Sequence, residues 1–163
     1  MLDKKLHDNK LESYLLAWIM AGYHTELDCW YKDKRKGFLF TIGDEPTHLR
    51  ISGRDLTRIL GYEEGAKDIT AEEALKKAQE QYEVFHIHTT DASHSEREVR
   101  PGWEALLGDH FLTAKSADVN KVILETIHKY YTPIEEERPD ESVDVVEITP
   151  TEEKGGETTF NTL

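Results

Sequence analysis

Asp44 and Glu45 stand side by side just after the apolar run Gly37-Phe-Leu-Phe-Thr-Ile42 and its closing Gly43. Two neighbouring carboxylates on a loop that leaves a buried strand are good oxygen ligands for a hard divalent cation such as Mg²⁺, directly or through water. The same pair, followed by Pro46, also makes an ordinary strand-ending turn. A second set of oxygens lies at Asp91-Ala-Ser93-His-Ser95, an Asp-x-Ser-x-Ser string. If the strand ahead of that string ends on the same sheet edge as Asp44, then Asp44, Glu45, Asp91, Ser93 and Ser95 together form a candidate Mg²⁺ site. His86 and His88 alternate along a strand, share one face, and could be approached by His94 or His110. Zinc favours imidazole, but four ligands have to converge and the lone Cys29 is distant in sequence. Buried histidines with ordinary hydrogen bonds are therefore the expectation.

Catalytic signatures are missing. The chain has no Gly-x-Ser-x-Gly elbow, no Gly-x-x-x-x-Gly-Lys loop and no Gly-x-Gly-x-x-Gly turn. Ser13 or Ser93 beside a histidine would still need an oxyanion hole in register. The reading is that this protein is not an enzyme. Tyr14 and Trp18 fit the apolar stripe of a helix and are expected to pack in the core, as aromatics ordinarily do.

These side chains need a frame. Asn9 and Glu12 have capping-box spacing before Leu11, Tyr14, Leu15, Trp18, Ile19 and Gly22, which predicts a largely covered helix. Lys32-Asp-Lys-Arg-Lys36 reads as a solvated lead-in loop. Gly37–Ile42 has little polar alternation, as a parallel strand buried on both faces would. Ser52 caps a short helix with Leu56, Ile59 and Leu60, stopped by Gly61. Thr70 and Glu73 open another, whose apolar face is Ala71, Ala74, Leu75, Ala78 and Tyr82. Glu83–Thr89 is the next strand, Pro101 and Gly108 bracket a short helical turn, and His110–Ala114 is a third strand. Ser116 caps a last helix with Val119, Val122, Ile123, Ile127 and Tyr130 on one face. Strands separated by helices imply a parallel sheet covered by helices. The expected fold class is α/β, a three-layer, Rossmann-like short parallel sheet.

Charge sets the remaining limits. The 163 residues hold 20 Lys+Arg against 33 Asp+Glu, a net charge of −13, and residues 135–163 hold ten of the acids with only Arg138 and Lys154 opposing them. That composition divides the chain into an α/β domain over 1–134 and an acidic tail over 135–163, which is expected to be disordered. Within the tail, Val143-Asp-Val-Val-Glu-Ile148 is short and β-prone enough to add to an exposed sheet edge. A negative field repels phosphate and anionic lipid, so neither nucleic acid nor membrane is an expected partner. The charged N-terminus does not resemble a signal peptide, and no apolar stretch approaches the ~20 residues of a bilayer span. With one unpaired cysteine, the expected location is cytoplasmic.

Beyond these readings, Glu12-Ser-Tyr-Leu-Leu-Ala-Trp18, His24-Thr25, Asp28 and Lys36-Gly-Phe-Leu-Phe-Thr-Ile-Gly-Asp-Glu-Pro46 resemble the C-terminal half of bacterial von Willebrand factor A-like domains. Tyr82–His88, Gly102-Trp103, Leu106–His110 and Ser116–Asn120 continue the resemblance, which spans Asn9 to Tyr131. It implies a doubly wound α/β fold that binds protein partners, often through Mg²⁺ at a metal ion-dependent adhesion site. Such a site uses an Asp-x-Ser-x-Ser loop after the first strand, a Thr or similar group before a middle helix, and an Asp after the fourth strand. Asp44 matches the last element, and Asn9, Glu12 and Ser13 lie where the second would be. The Asp91–Ser95 string does not match the first, because no long apolar helix follows it.

The expectation is thus a partial von Willebrand factor A-like module with an incomplete adhesion site, acting in protein interaction or assembly. Its middle strand, Gly37–Ile42, would lack its upstream neighbour and present an apolar edge to another chain. The partner could be a polypeptide supplying the missing N-terminal half, a self-associated copy, or, as in some relatives, an ATPase of the AAA class. Two other functions fit the composition: an acidic mimic or inhibitor that occupies a basic site on another protein, and a metal-dependent hydrolase built on Asp44 with His86 and His88.

Overall fold

The computed structural model describes residues 13–131. The capping pattern at Asn9 and Glu12, the Val143–Ile148 run and the acidic tail lie outside the described residues. Among those described, no helix is long and apolar enough to cross a membrane.

Helix α1 (Tyr14–Tyr23) is followed by a short α2 (Asp28–Asp33) and strand β1 (Gly37–Gly43). After β2 (Arg50–Ile51) comes α3 (Gly53–Leu60), where the Ser52 hydroxyl accepts the Asp55 amide and Gly61 closes the helix at φ 73°. Strand β3 (Ile69–Thr70) leads into α4 (Ala71–Ala78) through a capping box in which Thr70 and Glu73 satisfy each other's backbone amides. Strand β4 (Tyr82–Thr89), α5 (Glu96–Leu107), β5 (Phe111–Ala114) and α6 (Val119–Tyr130) complete the described chain.

Three strands form a parallel sheet in the order β1-β4-β5, while β2 and β3 make a separate antiparallel pair. Strand alternation sends Leu39, Thr41, Val84, His86 and Phe111 to one face and Phe38, Phe40, Phe85, Ile87 and Leu112 to the other. The first face meets the main core, made by Tyr14, Leu15, Trp18, Ile19, Leu56, Ala74, Leu75, Val99 and Trp103 from α1, α3, α4 and α5. On the second face Ile87, Ala114, Phe40 and Leu112 pack against Val119, Val122 and Ile123 at the start of α6. The result is an α/β fold with a parallel sheet flanked by helices.

Several local expectations are corrected. Strand β1 is not buried on both faces: of its residues Thr41 alone is buried and Ile42 is 44% exposed, because among the described residues β1 lies at the sheet edge. Lys32 and Asp33 of the expected lead-in loop are helical, as the end of α2, and Lys34 in the left-handed region (φ 56°) ends the turn. The α4 helix stops at Ala78, so Tyr82 opens β4 instead of extending the helical stripe. Pro101 does not begin a turn; it sits inside α5, a helix of 12 residues. A second capping box at Ser95 and Glu98 starts that helix, and Val99, Trp103 and Leu107 give it a buried stripe strong enough to carry it across the proline. Ser116 does not cap α6; it starts a 3₁₀ turn and donates its hydroxyl to Asp91.

Candidate functional site

All three parallel strands run their carboxyl ends to one side, where loops open the crevice that usually receives ligands in such sheets. The register sets Gly43 beside His88, and His88 beside Thr113, so the loops after β1, β4 and β5 meet there. Asp44 is the first residue beyond β1. Its Oδ2 accepts the backbone amides of Ser93 at 2.7 Å and His94 at 2.8 Å, with the His94 ring Nδ1 at 3.4 Å. These bonds, led by the His94 amide, hold the Asp44 carboxyl below the usual carboxylate range. Two amides donated by consecutive residues make a loop clasp from a side chain only 16% exposed.

The other candidate oxygens take separate routes. Asp91 Oδ1 accepts the Ser116 amide at 2.9 Å and the Ser116 hydroxyl at 2.8 Å, joining the loop after β4 to the one after β5. Those same bonds lower the Asp91 pKa. Ser95 donates its hydroxyl to Glu98 at 2.9 Å within the capping box of α5. Ser93 reaches Asp44 through its backbone. Glu45 contributes its carbonyl, which accepts the Trp103 Nε1–H at 3.1 Å. The structure thus brings Asp44, Ser93 and His94 together and directs Asp91 to Ser116 and Ser95 to Glu98. Among the described residues, no group of three or more His, Cys, Asp or Glu side chains is placed to hold a metal ion.

His86 and His88 do share one face, and both are fully buried. Thr41 donates its hydroxyl to the Phe85 carbonyl at 3.3 Å, so its oxygen accepts from His86 Nδ1–H at 2.9 Å and fixes that tautomer. The His86 ring lies flat on Trp103 and edge-on to Tyr14. Its Nε2, both nitrogens of His88 and the indole nitrogen of Trp18 are buried without a hydrogen-bond partner. Burial, with a smaller contribution from His88, pushes the His86 pKa down to about 3. Burial lowers that of His88 as well, opposed by nearby Glu96 and Asp44. Of the other two histidines considered with them, His94 reaches Asp44, while His110 stacks on Phe85 and donates Nδ1–H to the Val84 carbonyl at 3.0 Å. Phe85 belongs to the opposite face, so His110 does not join the pair.

A second feature lies along β1 itself. Gly37 donates its amide to the Gln81 carbonyl at 2.9 Å, and the parallel ladder continues through Leu39, Thr41 and Gly43. Alternation leaves the amides and carbonyls of Phe38, Phe40 and Ile42 directed away from β4. Among the described residues no strand pairs with that side. Edges of natural sheets are usually protected by charge, proline or a bulge. Gly37–Gly43 contains neither a charged residue nor a proline and pairs with β4 without interruption. The apolar composition of β1 was readable in its own residues, whereas its unpaired side among the described residues is seen in the pairing order. The Asp44–His94 and Asp91–Ser116 bonds had no sequence signal, since each joins residues far apart in the chain.

No family model matches the chain, and neither the curated proteins nor the solved structures include a match to it.

Proposed function

We propose that this chain is a protein-interaction and assembly module that receives a strand from another polypeptide along β1, in the manner of the C-terminal half of a von Willebrand factor A-like domain. The observation that carries this reading is that, among the described residues, no strand pairs with the outer side of β1, a seven-residue strand at the edge of the parallel sheet. Strand addition draws affinity from backbone hydrogen bonds and specificity from the side chains that alternate beside them. Phe38, Phe40 and Ile42 offer both on this side. The loops at the strand ends contribute rigidity in this reading, since Asp44 and Asp91 tie them together.

Photocrosslinking from position 42 tests the proposal, with position 124 on α6 as an exposed control. Adducts from position 42, but not from 124, should map to one extended segment of a partner polypeptide. Absence of adducts at 42, or equal labelling from 124, would remove the basis for the reading.

A further inference from the structure

Strand β1 and its flanks are complementary to themselves when reversed. Lys34, Arg35 and Lys36 precede the strand, and Asp44 and Glu45 follow it. Consider a second copy laid antiparallel against the free side, related by a two-fold axis through Phe40 and normal to the sheet. Gly37 then lies opposite Gly43 of the second copy, Phe38 opposite Ile42, and Phe40 opposite itself. Beyond the ladder, where Arg35 still bonds the end of α2 and Asp44 and Glu45 lie in a bend, the Lys36 and Arg35 flank of each copy falls at the same end as the Asp44 and Glu45 flank of the other, twice over by symmetry.

Hydrogen-bond parity agrees with this register. In an antiparallel ladder, opposed residues that exchange both N–H···O bonds alternate with residues that exchange none. Phe38, Phe40 and Ile42 are the residues whose amides and carbonyls face away from β4, and the register pairs them with Ile42, Phe40 and Phe38. Roughly six backbone bonds would form across the axis. Directly opposed residues also share a face, so Ile42, 44% exposed in the single chain, would meet Phe38 on the α6 side of the sheet. A rotation about the sheet normal keeps α6 of both copies on that side.

From this complementarity we infer that the occupant of the β1 edge is a second copy of this chain, giving a continuous six-stranded sheet. The inference rests on β1 being a receiving edge. Present contacts of the charged flanks do not oppose it strongly. Lys36 stands 3.3 Å from the half-buried Glu83, and Arg35 stands 3.1 Å from Asp33 in an exposed pair of small individual worth. The bonds that Asp44 makes within its own chain all fall on Oδ2. An isologous contact of this kind closes after two copies, which limits the growth that an open edge otherwise invites.

Sedimentation equilibrium of the full chain over a concentration series gives the test, with Arg35→Glu, Glu45→Arg, their combination and Ile42→Lys. Wild type should pass from monomer to dimer without larger species. Either single reversal opposes like charges at two symmetric places and should weaken the dimer about tenfold, while the double variant should recover most of that loss. Ile42→Lys should abolish dimerisation, with circular dichroism reporting that each variant folds. Amide exchange at Phe38, Phe40 and Ile42 should slow as wild-type concentration rises. A dimer indifferent to the 35 and 45 reversals would overturn the inference, as would slowed exchange confined to other strands. A monomer at every concentration, with position 42 still crosslinking a different polypeptide, would overturn self-pairing and leave the receiving edge standing. A monomer with no crosslink from position 42 would remove both.

Discussion

His86 and Trp103 lie face to face, with ring centroids 3.6 Å apart and planes 7° from parallel. The contact joins the central strand to α5, and it holds a fully buried imidazole whose protonation burial disfavours. Nδ1–H donates to the Thr41 hydroxyl oxygen, and the opposite nitrogen has no partner.

Stability should therefore fall as the solution is acidified through the range between the ordinary histidine pKa near 6.5 and the folded value of about 3. The unfolded chain binds a proton in that window and the folded chain does not, so the free energy of unfolding rises with pH. From this residue alone the loss by pH 5 is about 2 kcal/mol. Urea unfolding at pH 7, 6 and 5 should show the slope, and His86→Phe should flatten it. An unchanged slope in the variant would assign the effect elsewhere, His88 first.

The Asp44 carboxylate acts on a lower pH range. Its pKa is depressed, so its contribution is present above the usual carboxylate pKa and disappears as pH falls below it. Replacing it with alanine leaves the Ser93 and His94 amides without their acceptor, at a cost of about 1–2 kcal/mol. Asp44→Asn keeps a carbonyl acceptor and should cost less. Amide exchange at Ser93 and His94 should accelerate in the alanine variant, while the β4–β5 ladder remains protected.

Millimolar Mg²⁺ should raise the melting temperature of the wild type by less than about 1 °C, since ligand stabilisation needs a site that the folded state offers and the unfolded chain does not. Asp44 and Asp91 already serve backbone donors on different loops. A rise of several degrees that Asp44→Asn abolishes would establish a cation site instead.

Two glycines should respond in opposite directions. A Cβ on Gly53 would fall 1.6 Å from the Ala66 carbonyl oxygen, so Gly53→Ala should destabilise by about 2–3 kcal/mol. Gly102 lies within α5 with nothing inside 4 Å of its added Cβ, and Gly102→Ala should stabilise by about 0.5–1 kcal/mol. Thermal melts of the two variants provide the check.

Residues that act on near neighbours were legible from sequence alone. Ser52 with Gly61, and Thr70 with Glu73, bound their helices as their types and spacing require, because a cap is settled within a single turn. The apolar runs likewise marked the three sheet strands, since burial of a strand selects side chains residue by residue. Pro101 misled for the same local reason: a proline usually ends a helix, yet the buried stripe through Trp103 outweighs one missing amide.

Tertiary structure decided what depends on distant partners. Asp44 and Asp91 look alike as strand-end carboxylates, but one receives the amide of His94 and the other that of Ser116. Whether β1 is central or at an edge was likewise undetermined by its own seven residues. Strand order is set by how the helices pack on the two faces, and that packing sums contacts no local pattern encodes.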